Sequence, residues 1–331
     1  MKIVIPVVSL ETGGTRFIYH LANEMVDKGH AVEIVLPEKA AVAWPLRAQI
    51  TRVKELTPDK IPPADFILPN FYPTVFPAWE SKKGQVVRLS LGYEPLWVEE
   101  KEKALSSYLI NAPILSISQW HRQIILQATG RDSTVIPGGV NSSVFCPGPK
   151  KSLTTGRPTI AYILRSREHG YTWKGTEDFW EAIQRLTQLV PGFDIQVVAP
   201  EGATYPAPIP YETVIANTDQ EMAHFYAQGD IFVSTSYFEA FSMPPLEAMA
   251  CGTAVVTTDN GGNRDYTKNR ENCLLVPPSD VQQLTLILVH LLTQGNIRNQ
   301  LAQVGRQFAQ TWTWRNSADK LEAFLLQLTG R

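Results

Sequence analysis

Residues 231–262 read IFVSTSYFEAFSMPPLEAMACGTAVVTTDNGG, and the order of patterns in this stretch decides the fold. Its first six residues form a short apolar run of the kind that makes a buried parallel strand. Pro244 and Pro245 suit a helix start, where a fixed φ fits the first turn and a missing amide costs little, and Gly252 suits the helix end. The chain then returns to an apolar run, TAVVTT. This order places Glu239 in a turn beyond the carboxyl end of a strand and Glu247 in the first turn of the next helix. Both carboxylates are then expected to face one crevice, on the edge where open α/β sheets bind ligands. By spacing alone the pair also fits two solvated carboxylates near a helix start, a place that favours acidic residues.

Outward from this stretch, short apolar runs alternate with amphipathic ones. KIVIPVV (2–8), AVEIVLP (31–37), ADFILPN (64–70), QVVRLSLG (85–92), PILSIS (113–118) and TVIPGGV (134–140) read as strands, with helical patterns at 16–28, 99–109 and 119–127. PGPKKSLTTGRP (147–158) is rich in Pro, Gly, Lys and Thr and reads as a linker. After it TIAYIL, FDIQVVAP, TVIAN, IFVSTS, TAVVTT and NCLLVP supply further strands, with helices expected at 176–189, 219–227, 245–250 and 281–293. The alternation predicts α/β architecture with two mostly parallel sheets, helices on both faces of each. The expected boundaries are a first domain at 1–147, a linker at 148–158, a second domain at 159–312 and a terminal helix at 313–331. Two such halves imply a cleft between them.

Composition narrows the class. At 331 residues the chain is long enough for two domains, and 44% hydrophobic with 19% charged residues fits a globular protein and not a disordered one. Thirty basic and thirty-two acidic residues leave a net charge of -2, so no nucleic-acid partner is expected. Cys146, Cys251 and Cys273 are odd in number and widely spaced, which argues against a disulfide framework and a metal knuckle. The start reads as a strand and not a signal peptide, and no run reaches a membrane span. The expected location is cytoplasmic, with peripheral contact at the inner face of a membrane left open.

Two further clusters carry chemistry. ETGGT (11–15) follows the first strand and opens a helical run; its glycine pair, Gly13 and Gly14, lets backbone amides face an anion such as a phosphate at a helix N-terminus. The same pair also fits a plain strand-to-helix turn, and the spacing of a dinucleotide fingerprint is missing. ILRSREHGYTWKGTEDF (163–179) places Arg165, Arg167 and Lys174 just after the first strand of the second half. Cations there would stabilise negative charge that develops on a departing diphosphate, more in the transition state than in the ground state. The bland alternative is an exposed loop with solvated charges.

The string E-A-F-S-M-P-P-L-E-A (239–248) resembles the E-x7-E motif of retaining glycosyltransferases of family 4, which have the GT-B fold and a usual form close to E-G-F-G-x-P-x-x-E-A. The resemblance extends to DKGHAVEIV (27–35), to VIPGGVNSSVFCP (135–147), to Lys174-Gly175 and to NGGNRDYTKNRENCLLVPPSD (260–280). It implies two Rossmann-like domains facing each other across a cleft, with the last helix packing back on the first. Glu239 would then lie by the donor sugar, Glu247 on the nucleotide ribose, and Ala240, Phe241, Ser242 and Met243 around the diphosphate. Lys174 and either Arg165 or Arg167 would neutralise the leaving group; Arg167 has the more usual spacing. Gly13 and Gly14 would approach the phosphate. Ala240 and Ser242 stand where glycines are usual, adding a Cβ near the ligand, although Ser242 also offers a hydroxyl. VVRLSLGYEPLW (86–97) places Tyr93 and Glu94 where some members carry a histidine, which implies an acceptor-binding role. It is also similar to a branch that includes rhamnosyltransferases of bacterial surface glycans.

Other chemistries have less support. The six histidines form no metal-ligand spacing, and G-x-S-x-G, Walker and D-x-D patterns are missing. No metal and no cofactor is expected. Trp44, Tyr72, Trp79, Tyr93 and Trp97 are candidate sugar-stacking faces. The expectation is a metal-independent, retaining transfer of a sugar from a nucleotide diphosphate sugar to a hydroxyl of a glycan, lipid-linked or small-molecule acceptor. The alternatives are a GT-B epimerase or sugar-phosphate synthase with the same donor site, and a non-catalytic glycan-binding relative. The oligomeric state is not legible.

Overall fold

The computed structural model describes residues 1–8, 12–165, 167, 170–199, 202 and 204–330. Glu11 of the ETGGT cluster and His169 lie outside the described residues. The chain divides into two compact units, one formed by Met1–Gly139 with Trp314–Arg331 and the other by Val140–Thr313.

The first unit runs β1 (Lys2–Pro6), α1 (Gly13–Asp27), β2 (Ala31–Pro37), β3 (Gln49–Val53), β4 (Phe66–Ile67), α2 (Tyr72–Ser81), β5 (Gln85–Val86), β6 (Arg88–Leu89), α3 (Lys101–Leu109), β7 (Ile114–Ser116), α4 (Gln119–Thr129) and β8 (Thr134–Val135). A five-stranded parallel sheet has the order β3-β2-β1-β4-β5, and a three-stranded one the order β6-β7-β8. The run at 85–92, expected as one strand, is split. Val87 donates to the Ile67 carbonyl while Arg88 donates to the Pro113 carbonyl, so the segment changes partner between adjacent residues. β3 has no counterpart among the sequence-derived strands; it is an edge strand with four of five residues at least partly exposed, so it carries no apolar run to read.

The second unit runs α5 (Ser152–Thr155), β9 (Thr159–Ile163), α6 (Thr176–Leu186), β10 (Asp194–Val198), β11 (Glu212–Val214), α7 (Asp219–Gln228), β12 (Ile231–Ser234), α8 (Met243–Ala250), β13 (Ala254–Thr258), β14 (Leu274–Val276), α9 (Val281–Thr293) and α10 (Gly295–Ala309). Its parallel sheet has the order β11-β10-β9-β12-β13-β14. α6 buries Phe179, Trp180, Ile183 and Leu186 on one face, at the three- and four-residue spacing of an amphipathic helix, against Ile160, Tyr162 and Val233 of the sheet. Each such fully buried large side chain contributes about 1.5–3 kcal/mol. α7 is closed by a capping box of Thr218 and Glu221.

The segment 148–158, expected as a linker, belongs to this unit and carries α5. Lys150 Nζ donates to the Gly229 carbonyl at 2.7 Å and to Thr253 Oγ1 at 3.0 Å, and Ser152 Oγ donates to Asp230 at 3.0 Å. Burial lowers the Lys150 pKa to about 8, with the Asp230 carboxylate opposing the shift.

The last helix, α11 (Trp314–Leu328), is part of the first unit and packs on α1. Trp314 meets Phe17 edge-on at 5.1 Å and stacks on His20 at 4.9 Å, and Lys28 reaches both Asp319 and Glu322. Among the described residues no helix is long and apolar enough to cross a membrane.

Candidate active site

In the second unit the sheet runs outward in both directions from β9 and β12, and this is the topological switch point at which open α/β sheets hold ligands. The loops leaving the carboxyl ends of these two strands bring Lys174 and Glu239 together: Nζ lies 2.5 Å from Oε1, with the side chains 25% and 19% exposed. The pair is 65 residues apart in sequence, and its placement rests on close backbone packing. Gly175 has φ +63°, and a Cβ there would fall 2.2 Å from the Thr235 carbonyl oxygen, so only glycine fits next to Lys174. Thr235 Oγ1 donates to the Lys174 carbonyl at 2.9 Å and lies 3.0 Å from the buried Tyr162 hydroxyl. Tyr237 N donates to the Trp173 carbonyl at 2.8 Å. The lysine-glycine pair was legible in sequence, whereas Tyr162 and Thr235, which hold it, are ordinary strand residues with no signal of their own.

Glu239 sits on a second close contact. Its amide donates to the Asn260 carbonyl at 3.0 Å, and a Cβ on Gly262 would fall 2.4 Å from the Glu239 carbonyl oxygen. The NGG segment therefore closes under the Glu239–Phe241 turn with no room to spare. Phe241 itself is 3% exposed and packs on Tyr266 and Trp312 at 5.5 and 6.1 Å, so its side chain belongs to the core and only its backbone faces the turn. Ser242 adopts φ +68°, ψ +70° and precedes α8. A left-handed non-glycine residue costs about 1–2 kcal/mol. Here the Tyr266 hydroxyl donates to the Ser242 carbonyl, and Asn260 Nδ2 donates to Ser242 Oγ at 3.4 Å. The hydroxyl expected to serve a ligand is thus buried and turned toward Asn260. Ala240 and Met243 flank this turn and are partly exposed.

One expectation is corrected, and two further residues stand in surroundings that the sequence does not show. Glu247 is the fifth residue of α8, not part of its first turn, because the helix starts at Met243; it is 2% exposed, and the Tyr226 hydroxyl donates to its Oε2 at 3.1 Å. Arg167, favoured by spacing, is an exposed side chain whose Nε pairs with Glu177 Oε1 at 3.0 Å. Arg165 follows the end of β9 by two residues, is half-buried with its guanidinium 5.0 Å from the Tyr171 ring centroid, and its carbonyl accepts from Thr176 Oγ1 at 2.6 Å. The other such residue is Glu94.

In the first unit Gly13 and Gly14 open α1, and the cap residue Thr12 makes no side-chain hydrogen bond to the helix. A Cβ on Gly14 would crowd Leu91 at 3.3 Å. Glu94, expected to meet an acceptor, is 2% exposed and bound to Arg88, itself 1% exposed, through two contacts of 2.9 and 3.0 Å to one guanidinium nitrogen. Tyr108 donates a further hydrogen bond to it, and its ring lies 3.5 Å under the Arg88 guanidinium. Burial pushes the Glu94 carboxyl up, and Arg88 and Tyr108 oppose the shift. Glu94 is thus an internal anchor of the loop that carries Tyr93. Tyr93 is half-buried, 5.2 Å from Tyr108. The fully buried His121 borders the same cluster, with Nε2 3.3 Å from Ser90 Oγ, and burial holds its pKa down to about 3. Among the described residues no group of three or more His, Cys, Asp or Glu side chains is placed to hold a metal.

The family model for group 1 glycosyl transferases matches residues 213–308, which include β12, Glu239, α8 and the NGG segment. A D-inositol 3-phosphate glycosyltransferase of Corynebacterium diphtheriae is 26% identical over 211 residues, covering 57% of this chain and 49% of the relative. An MMP alpha-(1->4)-mannosyltransferase of Mycolicibacterium hassiacum is 27% identical over 195 residues, covering 56% and 46%. The chain thus spans about half the length of the curated relatives it matches. Among solved structures, sucrose-phosphate synthase of Thermosynechococcus elongatus superposes with a TM-score of 0.82 at 18% identity, covering 99% of each chain. HepE of Anabaena in complex with UDP-glucose gives 0.82 at 16% identity, covering 99% of this chain and 100% of that one. This likeness over the whole length gives the chain the GT-B fold, two Rossmann-like units with parallel sheets, and the group 1 glycosyl transferase match falls on the unit that holds Lys174 and Glu239.

Proposed function

We propose that the chain is a glycosyltransferase that moves a sugar from a nucleotide diphosphate sugar to an acceptor hydroxyl, with retention at the anomeric carbon and without a metal. The observation that carries this reading is the Lys174–Glu239 pair at the switch point between β9 and β12. An ammonium and a carboxylate fixed there match the two ends of the bond to be broken. The cation meets the diphosphate oxygens, on which negative charge grows as the bond from anomeric carbon to phosphate oxygen breaks. The carboxylate accepts from hydroxyls of the sugar.

In this reading Lys174 and Arg165 stabilise the leaving diphosphate, and they do so more strongly in the transition state, where its charge is larger. Arg165 takes the arginine role because it stands two residues past the end of β9, at the switch point, and is half-buried, whereas Arg167 is an exposed side chain paired with Glu177. The amides of residues 241–243, at the start of α8, would receive the diphosphate, as the amides of a helix start receive an anion. Glu247 reaches the ribose only if its contact with Tyr226 opens. As the acceptor oxygen bonds to the anomeric carbon, its proton passes to the departing diphosphate oxygen, on the same face of the sugar. No enzyme nucleophile is needed, and neither glutamate acts as a general acid or base.

A thermal-shift panel of UDP-, GDP-, dTDP- and ADP-sugars tests the reading. At least one nucleotide sugar is expected to raise the melting temperature; flat curves across the panel would remove the donor site.

A further inference from the structure

We propose that Trp173 and Phe238 form a stacking platform for the pyranose ring of the donor, so that these two residues set which sugar is accepted. The proposal rests on the donor-site reading above. Trp173 precedes Lys174 and Phe238 precedes Glu239. The two loops that bring the charged pair together thus bring an aromatic pair together one residue earlier, with ring centroids 5.9 Å apart and planes 21° from parallel. The hydrogen bond from Tyr237 N to the Trp173 carbonyl holds the two loops in this register.

Core packing does not account for the pair. Phe179, Phe225, Phe232 and Phe241 of the same unit are 3% exposed or less, whereas Phe238 is 40% exposed. Singly exposed apolar side chains are common; what sets Phe238 apart is its near-parallel partner Trp173 at the ligand edge of the sheet, and together the two offer a contiguous apolar face. Tyr171 packs edge-on to Trp173 at 5.8 Å, and the Arg165 guanidinium lies 5.0 Å from the Tyr171 centroid. A chain of ring contacts thus runs from Arg165 through Tyr171 and Trp173 to Phe238, on the two loops that also carry Lys174 and Glu239.

A pyranose attached to a diphosphate has three kinds of surface, and this arrangement has a partner for each. Its C–H face suits the exposed aromatic rings, its hydroxyl edge suits Glu239, and the diphosphate on its anomeric carbon suits Lys174 and Arg165. The chemistry favours a neutral sugar with one continuous apolar face. A ring bearing its own carboxylate would lie against Glu239.

The test compares free nucleoside diphosphates with their sugar conjugates, UDP with UDP-glucose, GDP with GDP-mannose and ADP with ADP-glucose, by calorimetric titration. It uses the wild-type chain and the Phe238→Ala, Phe238→Tyr, Trp173→Ala and Trp173→Phe variants. For the pair that binds the wild type, each alanine variant is expected to weaken the sugar conjugate by roughly three- to tenfold, the range of one aromatic contact, and the free diphosphate by less than about twofold. The Tyr and Phe variants keep an aromatic face and are expected to bind the conjugate as the wild type does, which also separates lost stacking from a collapsed loop. Equal weakening of diphosphate and conjugate, or none of either, overturns the platform and leaves the donor site standing. A wild type that binds none of the six nucleotides and no dTDP-sugar overturns the donor-site reading itself, and the platform with it.

Discussion

Lys174–Glu239 in the second unit and Arg88–Glu94 in the first are both cation–glutamate pairs, and both sit in or beside loops at the carboxyl ends of parallel strands. Their surroundings differ. Lys174 and Glu239 keep 25% and 19% of their side-chain surface in water, and their position is fixed through the backbone by Gly175, Thr235 and Gly262. Arg88 and Glu94 keep 1% and 2%, and are engaged by Tyr108 and Ser107. In the first case the scaffold holds the charges, which on the proposed reading are kept for a ligand to meet. In the second the charges hold the scaffold. Removing one partner should therefore cost activity at the switch point and stability in the buried cluster.

The largest effect is expected in the buried pair. Glu94→Ala leaves a guanidinium in the interior with no carboxylate, and urea unfolding should show a loss of about 3–5 kcal/mol. A paired apolar replacement, Arg88→Met with Glu94→Leu, should recover most of it. Near-normal stability of Glu94→Ala alone would show that the pair is not what anchors the loop.

Next in size is Lys174→Ala. Turnover should fall by about a hundred- to a thousandfold, the usual effect of removing one group that stabilises transition-state charge, while the melting temperature stays close to the wild type. A large drop in melting temperature with only a mild drop in turnover would reverse the contrast between the two pairs.

The smallest effect is a pH dependence confined to the buried cluster. His121 titrates at about 3 when folded and at about 6.5 when unfolded, so between these values the unfolded chain binds the extra proton. The stability due to a neutral His121 is complete above about pH 6.5 and is lost as pH falls, by up to about 1.4 kcal/mol per pH unit. His121→Gln should abolish that part of the slope, as measured by urea unfolding at pH 5, 6 and 7. An unchanged slope would place the acid sensitivity elsewhere.

The same contrast explains what the sequence could show. The strand-turn-helix order around Glu239, the proline start of α8, the Gly252 end and the Lys174-Gly175 pair are local patterns, and each stands in the structure where its chemistry put it. Burial is not local. Nothing in YEP separates a glutamate that meets a ligand from one that meets Arg88 six residues earlier, because the decision is made by Tyr108 and Ser107 on α3. Spacing favours Arg167 over Arg165, and it cannot show their surroundings for a similar reason: Glu177 pairs with Arg167 and Tyr171 lies beside Arg165 only after the loop has folded. β3 and the attachment of 148–158 to the second unit depend on partners far along the chain, Ile34 and Gly229 among them.

The central claim is that Lys174 and Glu239 together hold a nucleotide sugar. Thermal shift of the wild-type chain, Lys174→Ala and Glu239→Ala against the UDP-, GDP-, dTDP- and ADP-sugar panel tests it most directly. The account predicts that at least one nucleotide sugar raises the wild-type melting temperature and that either substitution abolishes most of that rise while leaving the ligand-free melting temperature in place. A flat wild-type response, or a full response that survives both substitutions, would contradict it.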